Sequence, residues 1–165
     1  MDIRQDQSGS DATQQAANLG LVRPPIVYAA SIVLGLLIQF GWPRSFLPHI
    51  LAAPVGSFLV VVAVVVFSYS IRNFRAAGTP VPGNKPTTVI VRTGPYRFSR
   101  NPIYLAFTMF QAGIASWVNS VWLIATLIVV VALMAFVVIP REERYLQKKF
   151  GADYLDYKRS VRRWL

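Results

Sequence analysis

The sequence predicts an all-α integral membrane protein with four transmembrane helices and a C-terminal amphipathic helix, and three observations carry that expectation. The first is where charge is missing: twenty uncharged residues separate Arg23 from Arg44, twenty-seven separate Arg44 from Arg72, and forty separate Arg100 from Arg141. A bilayer core needs roughly 20 apolar residues per helix, so these intervals hold one span, one span with a loop, and two spans joined by a tight turn. The second is composition. Hydrophobic residues make up 54% of the chain and cysteine is absent, which excludes disulfides, thiolate zinc sites and cysteine nucleophiles. The third is where charge is gathered: fourteen of the seventeen Lys and Arg fall in two blocks, Arg72 to Arg100 and Arg141 to Arg163. Four spans place both blocks and the N-terminus on one membrane face.

Taken in order, residues 1–19 are polar and lack aromatics, the composition of a disordered tail. Residues 20–72 hold the first two spans, near Pro25 to Trp42 and Pro54 to Ile71. The first has too long an apolar core for a typical export signal and no clear small-residue cleavage site after it, so it reads as a membrane helix. Residues 73–165 form a third unit. It begins with "NFRAAGTPVPGNKPTTVIV", either a connecting loop followed by a short strand or a lid whose Lys85 or Arg75 meets an anionic group. Spans near Pro102 to Trp117 and Val121 to Ile139 follow as a hairpin, with Ala106, Ala112, Gly113 and Ala115 small enough to let helices approach closely. Finally Leu146, Phe150, Tyr154, Tyr157 and Val161 recur at spacings of three and four, an amphipathic helix along the interface, bent at Gly151.

The net charge of +10 follows from the same layout. The positive-inside rule makes the basic face cytoplasmic, with both termini on it. Attraction to anionic phospholipid headgroups accounts for the surplus, so nucleic acid is not expected as a partner.

Acidic residues are scarce, with none between Asp11 and Glu142. Any catalytic carboxylate outside the tail therefore comes from the C-terminal segment. Glu142 and Glu143 follow Pro140, where acids in a first helical turn complement the macrodipole; alternatively, one of them binds a ligand at the membrane edge. "RTGPYRFSRNPIYLAF", from Arg92 to Phe107, allows two readings as well. Its arginines and tyrosines suit an interfacial belt, while Asn101 before Pro102 breaks the helix and frees backbone groups for a ligand. His49 stands alone on the outer side, where no catalytic role is expected.

Gly94, Tyr96, Arg100, Pro102 and Tyr104 in "GPYRFSRNPIY", then Glu142 and Glu143, then "FGADYLDYKRSVRRW" together resemble the isoprenylcysteine carboxyl methyltransferase and phospholipid methyltransferase family. The resemblance runs from about Asn73 to Trp164 in the family's order and spacing. It implies an integral membrane enzyme of the bacterial inner membrane that uses S-adenosylmethionine from the cytosol, with the C-terminal helix roofing the cofactor pocket. It also implies a lipid-linked or hydrophobic substrate, either a phospholipid amine headgroup or a prenylcysteine-like carboxylate.

Carried over by position, Tyr96, Arg100, Asn101, Pro102 and Tyr104 would line the cofactor pocket. Glu143 with Glu142 would bind the cofactor's polar end, and Tyr154 would help to close it. Arg100, Glu143, Tyr157 and Arg162 are the residues expected to approach the reaction. Asn101 departs from the family, since prenylcysteine enzymes usually carry His there; Asn orients a ligand but is no base near neutral pH. The Arg-Asn-Pro form is more similar to other bacterial-type members. Two other functions fit parts of the pattern: a membrane reductase of the steroid-reductase type using a nicotinamide cofactor, and a non-enzymatic basic membrane scaffold.

Overall fold

The structure is a computed structural model that describes residues 23–79 and 87–165. The polar tail over residues 1–19 and Lys85 lie outside those residues. The elements are α1 (Pro24–Gly41), α2 (His49–Ala76), a 3-10 turn (Gly94–Arg97), α3 (Pro102–Val118), α4 (Val121–Leu133), a π-helical turn (Met134–Val138), α5 (Ile139–Phe150) and α6 (Ala152–Ser160). Among the described residues there is no strand, only an isolated parallel bridge between Ser99 and Arg162. The short strand allowed for near Val91 is therefore absent. Val91 instead buries against Phe74 and Tyr96.

Three helices are long and apolar enough to cross a membrane: Pro24–Gly41, His49–Ala76 and Val121–Phe150. The helix between them, Pro102–Val118, is apolar but has 17 residues. Two boundaries differ from expectation. α2 starts at His49, so Pro54 lies inside it; there the proline forfeits a single bond one turn from the helix end. The chain also does not restart at Pro140, because α4, the π turn and α5 form one 30-residue helix. At 1.5 Å per residue this helix spans about 45 Å, longer than the roughly 30 Å bilayer core. Its apolar run ends at Ile139, and its polar final turns project beyond the membrane-spanning part. The C-terminal segment is likewise two helices, broken at Gly151, whose φ of 54° no ordinary side chain favours.

α1 packs on α4, α2 on α3, and α3 on α4. The α3–α4 turn is as tight as expected. Asn119 takes a left-handed conformation, φ 53°, and its carboxamide accepts from the Phe46 and Leu47 N–H groups while donating to the Leu47 carbonyl. Buried polar pairs set the register between helices where lipid supplies no hydrophobic force. Tyr28 meets Thr108 at 2.9 Å, Ser31 donates to Gln111 at 2.8 Å, and Ser120 donates to Gln39 at 2.9 Å.

The small-residue stripe of α3 works through Gly113, which lies against Gly56 of α2. A Cβ on Gly56 would stand 2.4 Å from Trp117 Cδ1 and 2.8 Å from the Gly113 carbonyl oxygen. Backbone cannot yield as a side chain can, so Gly56→Leu is expected to cost about 1–3 kcal/mol or more by overpacking. Thermal unfolding in nanodiscs checks this, with Gly41→Ala as a neutral control because nothing lies within 4 Å of its Cβ position.

Candidate functional site

The basic end of the bundle is built on three docked segments. Gly94, at φ 59°, brings the 3-10 turn against Asn73, whose Nδ2 lies 2.5 Å from where a Cβ would be. Thr93 donates to Asn73 Oδ1 at 2.8 Å and secures the turn to the end of α2. The turn then buries Tyr96, which stands edge-on to Phe74 at 5.0 Å. From α6, Tyr157 donates to the Tyr96 carbonyl at 2.8 Å, and Arg92 reaches across to the Asp153 carbonyl at 2.6 Å.

The third segment is the extended strap after α6. Arg100 N–H donates to the Arg162 carbonyl at 2.9 Å, and Asn101 Nδ2 donates to the Arg163 carbonyl at 3.0 Å. Asn101 thus holds the strap with its side chain. Trp164 packs against the apolar cluster of Tyr28, Tyr104, Leu127, Val130 and Met134.

Two adjacent glutamates face different surroundings. Ile139 N–H bonds the Met134 carbonyl five residues back, and Pro140 has no N–H to offer. The extra residue in that turn rotates everything after it by about 100° relative to an unbroken α-helix. Glu143 is thereby buried under the strap, its side chain 8% exposed. It accepts from Arg163 Nε at 3.1 Å and Nη2 at 2.9 Å, with Arg100 Nη1 at 3.2 Å and Lys158 Nζ at 3.7 Å. Glu142 instead turns toward α3 and accepts from the Tyr104 hydroxyl at 2.5 Å. Burial pushes the Glu142 carboxyl up to about 7, the Glu143 charge adds to the rise, and the Tyr104 hydrogen bond opposes it.

Arg100 is the unusual group. Its side chain is 9% exposed, yet its Nε and Nη1 meet no acceptor in hydrogen-bonding geometry, and the buried Tyr96 hydroxyl has the Ser70 hydroxyl nearby without a directed bond. The Arg100–Glu143 contact is one of charge without directed hydrogen bonding. Buried donors left in this state cost free energy unless a ligand meets them. Tyr154 and Tyr157 are buried beside Arg100. Burial pushes the Tyr154 hydroxyl up to about 12 and raises Tyr96 and Tyr157 as well, so all three are protonated donors at neutral pH.

The fold therefore brings Tyr96, Arg100, Tyr104, Glu142, Glu143, Tyr154 and Tyr157 to one end of the bundle, with Pro102 buried at the start of α3. It does not bring the Arg162 side chain, which is exposed. The guanidinium that reaches Glu143 is that of Arg163, which sequence reasoning passed over together with Lys158 and Trp164. Val161 is extended, φ −128° and ψ 136°, and in such a segment successive side chains point to opposite sides. The residues after Ser160, Val-Arg-Arg-Trp-Leu, carry no alternation that would have signalled it. Arg75, the other cation considered for an anionic ligand, is exposed in the last turn of α2.

Comparison with known proteins adds the following. The family model described as "Phospholipid methyltransferase" matches residues 51–153, from the first turn of α2 into α6. An uncharacterised protein of Haemophilus influenzae is 38% identical over 63 residues, which cover 38% of this chain and 89% of that protein. No solved structure matches.

Proposed function

The chain belongs to the phospholipid methyltransferase family, and from that premise we propose that it transfers a methyl group from S-adenosylmethionine to the amine of a phospholipid headgroup. That it is an integral membrane protein of a methyltransferase family is given by the match and the apolar helices. In our reading α3 is the fourth span, and the basic end with both termini faces the cytoplasm, as the charge distribution favours. On this reading α5 continues out of the bilayer core and α6 lies along the interface among anionic headgroups.

The observation that carries the proposal is the buried Arg100 guanidinium, whose Nε and Nη1 have no directed acceptor. S-adenosylmethionine offers a carboxylate and ribose hydroxyls, which are the partners those donors lack. Arg100 would take an anionic oxygen of the ligand, and Tyr96 and Tyr154 would donate to its oxygens. The sulfonium supplies an already activated methyl. The residues need only align the nucleophile with it and exclude water, a task suited to the strap and to Trp164 over the apolar cluster.

The test is calorimetric titration of S-adenosylhomocysteine into the protein in nanodiscs, with NADPH as competitor, followed by transfer of labelled methyl to ethanolamine-headgroup lipid. Saturable binding unaffected by NADPH, with label in the lipid, is the expected result. Well-folded protein that binds only NADPH, or leaves the lipid unlabelled, overturns the proposal.

A further inference from the structure

We propose that Glu142, held by the Tyr104 hydroxyl, takes the proton that a lipid ammonium must lose before its nitrogen can attack. The inference rests on the amine-methylating function above and assigns a role that this function leaves open. An ammonium has no lone pair, so transfer to an ethanolamine-type headgroup needs a proton acceptor within reach of the nitrogen. The described residues contain four side-chain carboxylates. Asp153 and Asp156 are exposed on α6, the latter beside Arg159 at 3.6 Å. Glu143 is already paired with three cations, Arg100, Lys158 and Arg163. Glu142 is different, because its one protein hydrogen bond comes from Tyr104 through Oε1.

The position of Glu142 also differs from that of Glu143. Tyr104 belongs to the apolar cluster with Tyr28, Val138 and Ile139, against which Trp164 packs. Glu142 therefore sits where the basic end of the bundle meets its buried apolar core, while Glu143 faces the strap. The titratable groups around it are Tyr104 of α3, Tyr96 of the 3-10 turn, Tyr154 of α6 and Glu143 of its own helix. The tyrosines outside the span stay protonated near neutral pH and cannot accept. The carboxyl of Glu142, pushed up toward 7 chiefly by burial, is a stronger base than a surface glutamate.

In the step, the ammonium N–H bond breaks and its proton forms an O–H bond on Glu142. The freed nitrogen lone pair then makes the new N–C bond while the donor's S–C bond breaks, leaving its electron pair on sulfur. The product is the N-methylated ammonium, and Glu142 later returns its proton to water. Tyr104 is a positioning residue. Its hydrogen bond favours the ionised carboxylate, so Tyr104→Phe moves the acidic limb of the pH profile upward.

Two measurements test the assignment. The first needs no catalysis: at pH 6, ethanolamine-headgroup lipid is titrated into donor-free protein in two buffers of different ionisation enthalpy. Wild type should release protons on binding lipid as Glu142 ionises against the ammonium, and Glu142→Gln should release none. The second is the pH dependence of kcat/KM. Glu142→Gln should lose about 100-fold or more together with the acidic limb, Glu142→Asp should retain the limb, and a headgroup whose amine is made less basic by fluorination should restore Glu142→Gln selectively. Equal proton release by wild type and Glu142→Gln, or a loss of rate indifferent to amine basicity, overturns the role. If wild type methylates no lipid, the functional reading fails instead, and the proton-release experiment still decides whether Glu142 meets the ammonium.

Discussion

Glu143→Ala is expected to lower the stability of the folded protein by about 3–5 kcal/mol, the usual cost of removing one partner from a buried ion pair. The carboxylate is buried, and it compensates Arg100, Arg163 and Lys158 together. Without it Arg100 becomes a buried charge with no counter-ion, and Arg163 loses the two hydrogen bonds that fasten the strap. Exposed ion pairs are worth less than 1 kcal/mol, so the loss is dominated by the stranded Arg100. The double variant Glu143→Leu with Arg100→Met should therefore recover much of it, since replacing a whole buried pair by apolar groups is often neutral. Unfolding in mixed micelles, followed by circular dichroism, measures both. A loss under 1 kcal/mol for Glu143→Ala would show that water reaches the cluster and screens it.

Arg100→Met is expected to separate stability from function. The substitution removes a guanidinium whose Nε and Nη1 have no acceptor and leaves Glu143 paired with Arg163 and Lys158. Stability should stay within about 1 kcal/mol of wild type, because a half-satisfied buried charge contributes little net. Methyl transfer should fall about 100-fold or more, the order found when one preorganised donor is lost from an active site. The two readouts are the unfolding midpoint and the affinity for S-adenosylhomocysteine. A variant that unfolds as readily as Glu143→Ala yet binds the ligand normally would reduce Arg100 to a structural counter-ion. The comparison tests whether the protein keeps an unfavourable group for its ligand's sake.

The helices were legible because hydropathy acts on whole segments. Long uncharged intervals bounded by Arg23, Arg44, Arg72, Arg100 and Arg141 hold the three membrane-length helices and the shorter apolar α3, and two helices sharing the last interval need the Asn119–Ser120 turn. The boundaries that failed did so for local reasons. Pro54 reads as a start, but it lies one turn inside α2, where a missing N–H is tolerated. Pro140 reads as a start too, and there a π turn carries the helix through.

The site divides along the same line. Composition and spacing already concentrated tyrosines, arginines and the two glutamates in the segments that meet at the basic end, since burial in a membrane leaves few other places for them. Which of those groups touch was beyond any pattern. A single extra residue in the π turn turns Glu142 to Tyr104 and Glu143 to the strap, and an extended strap presents Arg163 instead of Arg162. Hydropathy sums over many residues and survives such details. An ion pair depends on rotation about one helix axis and on the alternation of one short strand, and only the folded chain sets those.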